Sequence, residues 1–270
     1  MAGGPGEVLR RLYFQDMPLV TTPAIILHAF KYSDTSKIVR LATRDHGVQS
    51  AIAKGASRPK SRFGASLQVL TQGIAHLYLK HTTELHTLSA FDVAEQRETL
   101  ASDLARYAAA SAIAELMMRC APAEAQPSLF DLLAAQLDRL TQVPQPRVAT
   151  AGIAGLWAMV NALGFAPTLA SCVRDGRPLE AGAVGFSVPD GGFLCGPCTR
   201  ERNTTVLEPE DRAALEELAA GSDQIPEAWS PRHATAHRRL LARFIEHHLA
   251  EGHPLKALEF WETAPWNGTS

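Results

Sequence analysis

The sequence predicts an α+β chain of more than one domain: a five-stranded β-barrel at the N-terminus, then an α-helical domain that carries a cysteine-bearing insertion. Three observations predict it. Between 21 and 94 the apolar residues come in short β-branched or aromatic runs split by turn signals; from Glu95 the apolar period becomes helical; and between 165 and 208 that period gives way to Gly, Pro and Cys before it resumes. A length of 270 residues accommodates two compact domains, and 46% hydrophobic with 20% charged residues excludes disordered, collagen-like and disulfide-dense classes.

Residues 1–20 read as an irregular leader. The first 16 are Gly-rich, Arg10, Arg11 and Asp16 stand where a secretory signal needs an apolar core, and the regular pattern begins near Thr21, which makes Met17 an alternative start. The longest alanine-rich run is broken by Arg106 and Glu115, short of the roughly 18 apolar residues a membrane span requires. The expected location is the cytoplasm, with the nucleoid if the chain binds DNA.

Five runs predict strands: 24–30, 38–43, 48–53, 67–79 and 85–91. In the last, Leu85, Thr87, Ser89 and Phe91 alternate with His86, Leu88 and Ala90, so both faces are partly apolar, as a closed barrel requires. Asp45-His46-Gly47 is a hairpin loop, and 54–66, with Gly55, Pro59 and Gly64, reads as a mobile connection. Five short strands with a long third connection match an oligonucleotide-binding barrel in size, with a small SH3-like barrel as the alternative.

The helical domain is expected over 95–258. Leu100, Leu104, Tyr107, Leu116 and Met117 predict one helix over 96–119. Pro127-Ser128 opens a second, lined by Leu129, Leu132, Leu133, Leu137 and Leu140, and Pro144 and Pro146 precede a third over 147–163, ended by Gly164. After the insertion at 165–208, Glu208-Pro209-Glu210-Asp211 is an acidic helix start, and Ser230 caps a helix with Pro231 at its first position and Leu241, Phe244, Ile245 and Leu249 inside. Trp157 and Met159 fit helical core, Cys120 core beside Met117, and Trp261 and Trp266 a surface tail over 259–270.

The charge distribution carries the functional signal. The chain is formally −2, yet Lys31, Lys37, Arg40, Arg44, Lys54, Arg58, Lys60 and Arg62 stand against only Asp34 and Asp45 in residues 31–62. Phosphate neutralisation releases condensed counterions, so such a segment binds nucleic acid without any base contact. In residues 54–62 Gly and Ser alternate with the cations, so the backbone can also approach a phosphate. A solvated barrel face carries charge runs too. Phe30, Tyr32 and Phe63 flank the segment as stacking partners or as core.

Four cysteines in such a chain point to metal or buried thiols rather than disulfides. Cys195-Gly196-Pro197-Cys198 is a knuckle whose turn aims two thiolates at one metal, but in its upstream counterpart, Cys172-Val173-Arg174-Asp175, the fourth cysteine is an aspartate. Three thiolates with Asp175 or water could hold zinc; the alternative is an empty knuckle held by packing. All ten histidines lie outside 87–232, and His247, His248 and His253 read as a polar helix end. No phosphate loop, dinucleotide fingerprint, zinc-protease motif or nucleophile elbow occurs, so no enzyme activity is expected.

In order, the barrel with Lys54-Gly55-Ala56 and Ser61-Arg62, the helical domain, the knuckle-bearing insertion and a closing helix with Arg239-Leu240-Leu241, His248-Leu249 and Leu255-Lys256 resemble the bacterial recombination mediator family RecO, from about Pro23 to Leu258. The resemblance implies an oligonucleotide-binding barrel ahead of an α-helical domain with a zinc-finger-like insertion. It further implies binding of single- and double-stranded DNA, annealing of complementary strands, contact with RecR and with the single-stranded-DNA-binding protein SSB, and through them assistance to RecA loading. The eight basic residues would neutralise two backbones at once, and Arg238, Arg239 and Arg243 would meet the acidic C-terminal peptide of SSB. An RNA-binding factor of transcription or translation, a thiol-dependent enzyme at Cys172, Cys195 and Cys198, and a scaffold are the competing classes.

Overall fold

The computed structural model describes residues 18–80, 83–200, 204–220, 229–250 and 252–263. The leader through Met17, and the tail from residue 264 with Trp266, lie outside the described residues. The chain divides into two compact units, Met1–Gln96 with Pro122–Pro127, and Arg97–Ala121 with Ser128–Ser270. No helix among the described residues is long and apolar enough to cross a membrane.

The first unit contains β1 (Leu19–Lys31), β2 (Lys37–Thr43), β3 (Gly47–Ala53), β4 (Gln72–Tyr78) and β5 (Leu85–Glu95). They close on themselves in the order β1-β2-β3-β5-β4, antiparallel except for the β3–β5 pair. This is a five-stranded arrangement of the oligonucleotide-binding type. β4 starts later than its apolar run predicts: Leu67 and Leu70 are buried, and Leu70 adopts φ 70°, so the chain turns there instead of extending. The hairpin after β2 is locked by Thr43, whose hydroxyl donates to the Gly47 carbonyl at 2.7 Å, and by Thr22, which donates to Asp45 at 2.8 Å. Gly47 has φ 68°, and a Cβ there would lie 2.8 Å from the Ala123 carbonyl oxygen, so glycine is required twice over.

Two bulges set which side chains face inward. In β1 the register shifts between Ile26 and His28, so Ala24 and Ile26 point into the core and, past the shift, so does Ala29. In β5 the register shifts opposite His76 and Leu77, and Leu88 and Phe91 then share the inner side. The strict alternation expected for residues 85–91 is therefore wrong: a bulge, not a second apolar face, accounts for Leu88 and Phe91 together.

Residues 54–66 are also not the loose connection expected. Hydrogen bonds between residues three apart run from Ala56–Ala53 to Ser66–Phe63, and Ser57 N–H donates to the Thr35 carbonyl at 3.1 Å. Ala56, Phe63 and Leu67 are buried in the core of the strand unit. The polar sequence of this loop carries two apolar anchors at wide spacing, Ala56 and Phe63, with Leu67 following it.

The second unit contains α1 (Glu98–Ser102), α2 (Leu104–Cys120), α3 (Pro127–Gln142), α4 (Val148–Ala162), the short α5 (Gly196–Thr199), α6 (Pro209–Ala219), α7 (Pro231–His248) and α8 (Lys256–Thr263). The single helix expected over 96–119 is two: Asp103 is extended and its carboxylate accepts the Arg106 N–H at 2.9 Å, capping α2. Leu104, 64% exposed, and Tyr107 consequently fall outside the core they were expected to join. Arg106 is buried and donates to the Leu140 and Val143 carbonyls, where α3 ends. Gly152 and Gly155 let α4 lie against α2, since added Cβ atoms would stand 2.9 Å from Ala109 Cβ and 2.8 Å from Ile113 Cδ1.

Trp157, fully buried, packs on Phe244 of α7 with ring centroids 5.2 Å apart. Trp261 is not in a surface tail as expected; it is buried in α8, beside Gly152, because the C-terminal segment forms an amphipathic helix that completes the core. The Glu115 carboxylate of α2 accepts the N–H groups of Ala257 and Leu258 at 2.8 and 3.0 Å and caps α8. The insertion carries a three-stranded sheet in the order β7 (Gly192–Leu194), β6 (Val184–Ser187), β8 (Thr204–Leu207). Phe186 joins it to Phe244 at 6.1 Å.

Candidate nucleic-acid interface and metal centre

The register distributes the eight cations of the strand unit unevenly. Lys31 lies opposite Lys37, and Lys37 opposite Ala53, so Lys31, Lys37 and Lys54 share one end of the ring. The folded loop adds Arg58, Lys60 and Arg62 at the same end, all exposed. Lys54, Arg58 and Arg62 line a cavity of about 630 Å³ together with Ser36, Ile52 and Tyr78. Lys31 sits 3.5 Å from Asp34 in an exposed pair. Arg40 lies midway along β2, and Arg44 follows its far end, roughly 20 Å from Lys37 at about 3.3 Å per residue. Six of the cations thus form one surface, and Arg44 stands apart from it.

Phe63 is core, but Phe30 and Tyr32, 43% and 58% exposed, are surface. Sequence reading missed Ile52, Tyr78, Thr87 and Ser89 in the cavity; their alternation with inward-facing residues was the available signal, blurred by the β5 bulge.

In the second unit the insertion assembles Cys172, Asp175, Cys195 and Cys198, with one ligand atom of each within 4.8 Å of the others. Asp175 Oδ2 lies 3.5 Å from Cys195 Sγ and 3.6 Å from Cys198 Sγ. At metal–sulfur and metal–oxygen distances of about 2.3 and 2.0 Å, tetrahedral zinc places S and O about 3.5 Å apart, so the donors fit one ion. Asp175 Oδ1 accepts the Arg177 N–H at 3.1 Å, and Oδ2 faces the thiols while also lying 3.6 Å from the Arg177 guanidinium Nε. The thiol of Cys172, then the Arg177 N–H, hold the Asp175 carboxyl down at about 2. Hydrogen bonding with Cys195, followed by desolvation, pushes the Cys198 thiol up to about 12. Burial opposes ionisation of Cys172, but the backbone N–H groups of Cys195 and Asp175 outweigh it and lower its pKa. This group can hold a metal ion.

Of the three arginines expected to bind a peptide, Arg238 lines a cavity. That cavity, of about 320 Å³, is walled by Val148, Trp229, Pro231, Ala234 and Trp261, and the Arg238 guanidinium carbon lies 6.0 Å from the Trp261 ring centre. Arg239 and Arg243 are exposed on the same helix and do not line it. The two tryptophans were the residues missed. His248 is committed to the Val188 carbonyl at 2.7 Å, so it belongs to the fold rather than to a metal site.

Two family models match the chain, recombination protein O N terminal over residues 17–97 and recombination protein O C terminal over residues 101–259. A DNA repair protein RecO from Anaeromyxobacter dehalogenans (strain 2CP-C) is 35% identical over 252 residues, covering 90% of this chain and 96% of the relative. Another of that name, from Gloeobacter violaceus, is 30% identical over 245 residues, covering 88% and 90%.

Proposed function

The chain belongs to the recombination protein O family of DNA repair proteins, and from that premise we propose that it anneals DNA strands by neutralising their backbones at the cationic end of its strand unit. The family's part in DNA repair is that of a mediator and not of an enzyme.

The observation that carries the reading is the clustering of Lys31, Lys37, Lys54, Arg58, Lys60 and Arg62 at one end of an oligonucleotide-binding fold, in a chain of net charge −2. Two strands brought together repel through their phosphates, and cations shared between them lower that repulsion. Contacts confined to the backbone leave the Watson–Crick edges free to pair. Both single- and double-stranded DNA are ligands in this scheme, and Arg40 and Arg44 are peripheral to it.

The pocket of Trp229, Trp261 and Arg238 offers an apolar floor with one cation, the chemistry that receives an acidic peptide with an apolar end such as the C-terminus of SSB. RecR is the proposed partner in assembly, and RecA acts downstream of it. We assign zinc to the Cys172, Asp175, Cys195 and Cys198 group, where it would staple the insertion without taking part in strand exchange.

The test is fluorescence anisotropy of labelled single strands across a salt series, with wild type and a variant carrying Lys54, Arg58, Lys60 and Arg62 each changed to Ala. Each lost phosphate contact lowers the log–log slope by roughly 0.7, so the four together should lower it by about 3. An unchanged slope overturns the assignment.

A further inference from the structure

We propose that Cys195 and Cys198 are a peroxide-oxidisable pair whose disulfide and the bound zinc exclude one another, which makes the insertion a site of reversible oxidation. The inference rests on the zinc assignment and adds to it a two-electron modification of two of the donors.

The local geometry prepares the pair. Cys195 is the N-cap of α5, and Cys198 lies in the single turn of that helix. Their sulfurs face one carboxylate oxygen, Asp175 Oδ2, from 3.5 and 3.6 Å, and the donor atoms of the whole group lie within 4.8 Å of one another. A disulfide needs sulfurs about 2.05 Å apart on Cα atoms roughly 4.4–6.8 Å apart, and residues three apart in a helical turn meet the second condition. Side-chain rotation supplies the first.

Access orders the two thiols. Cys198 is half-buried, whereas Cys195 is buried and Cys172 is buried in the apolar cluster with Leu194. Coordination holds each sulfur as the thiolate, the form that reacts. The Cys198 thiolate attacks one peroxide oxygen, the O–O bond breaks, and a sulfenic acid and hydroxide result. The Cys195 thiolate then attacks the Cys198 sulfur and expels its hydroxyl as a second hydroxide. Two thiolates have lost two electrons, peroxide has gained them, and two protons from solvent turn both hydroxides into water.

Asp175 makes the two states exclusive. A carboxylate is inert to peroxide, and three thiols leave one over once a single disulfide has formed. Cys172 and Asp175 are then two donors, where a structural zinc site uses four. The frame around them survives the loss. Val173 N–H donates to the Phe193 carbonyl at 2.8 Å, Phe193 N–H to the Thr168 carbonyl at 2.9 Å, and Cys172 N–H to the Arg177 carbonyl at 2.9 Å. These bonds tie the Cys172 turn to β7 without a metal, so reduction of the disulfide rebuilds the donor set in place.

The experiment takes the full chain, purified under reducing conditions, measures its zinc, and adds hydrogen peroxide beside a chromophoric chelator. Free thiols are then alkylated and the peptides mapped by mass spectrometry. One Cys195–Cys198 disulfide should appear for each zinc released, Cys172 should be alkylated, and dithiothreitol with zinc should restore the starting state. Cys198→His keeps a donor and removes the oxidisable thiol, so its zinc release should be at least about tenfold slower. Zinc retained under peroxide, zinc released without a Cys195–Cys198 disulfide, or release from Cys198→His as fast as from wild type overturns the pair. Should Cys198→His fail to fold, the mapping of wild type still decides. Failure of the parent reading is distinct: there the reduced wild-type protein contains no zinc before peroxide is added.

Discussion

Asp175 Oδ2 stands 3.5 Å from Cys195 Sγ, the separation a carboxylate and a thiolate keep when both bind one tetrahedral ion. On the zinc assignment proposed above, the aspartate in the fourth position serves as the replacement donor, with Oδ1 held by the Arg177 N–H.

It follows that the purified protein should contain one zinc per chain and lose melting temperature when a chelator removes it. Asp175→Ala should weaken retention at least about tenfold against a competing chelator, as loss of a ligand exceeds the loss of an outer partner. Asp175→Cys should tighten it. Metal analysis that finds no zinc in wild type, with an Asp175→Ala melting temperature equal to wild type, sinks the assignment.

The uneven placement of the cations gives a second prediction. Arg58 lines the cavity and Arg44 follows the far end of β2. Arg58→Ala should lower the salt slope of single-strand binding by roughly 0.7, and Arg44→Ala should leave it unchanged. Equal effects would mean that the ligand wraps the whole ring.

Glu115 reaches from α2 to accept the Ala257 and Leu258 N–H groups, two of those a helix start leaves without internal partners. Glu115→Ala should cost about 1–2 kcal/mol, lowering the melting temperature by several degrees, and should raise the exposure of Trp261, which α8 buries. Glu115→Gln should retain most of the stability, since one acceptor oxygen remains. Calorimetry with tryptophan emission checks both.

The strands were legible because short β-branched or aromatic runs such as 24–30, 38–43 and 48–53 are split by turn signals, and the helix starts because Ser230-Pro231 and Glu208-Pro209 are cap chemistry. What the sequence did not disclose depends on one-residue irregularities. The bulge before His28 decides that Phe30 faces solvent, and Asp103, one polar residue inside a helical pattern, divides α1 from α2. Neither alters composition or average period. The cations were legible as a density, but only the pairing of Lys37 with Ala53 tells which of them meet. The metal group was legible in spacing alone; that Asp175 reaches the thiols required the turn at Arg177.

His237 supplies a pH-dependent prediction. It is buried between α6 and α7, with Nε2 3.0 Å from Asp211 Oδ1, Nδ1 buried without a hydrogen-bond partner, and its ring 4.4 Å from that of Trp229. Burial lowers its pKa and His233 adds to the lowering, against the opposing pull of Asp211. The ring is therefore neutral and donates from Nε2, and a second proton at Nδ1 would meet no acceptor. Because the folded-state pKa lies below the unfolded value of about 6.5, the contribution to stability is complete above that pH. On acidification the unfolded chain takes up the proton first, so stability falls from about pH 6.5 down to the folded-state pKa. His237→Gln can still donate to Asp211 but does not titrate. Its melting temperature should lie below that of wild type at pH 7.5, by a few degrees for about 1 kcal/mol of lost packing, and the gap should narrow by pH 5. Parallel curves across that range would place the titration elsewhere in the chain.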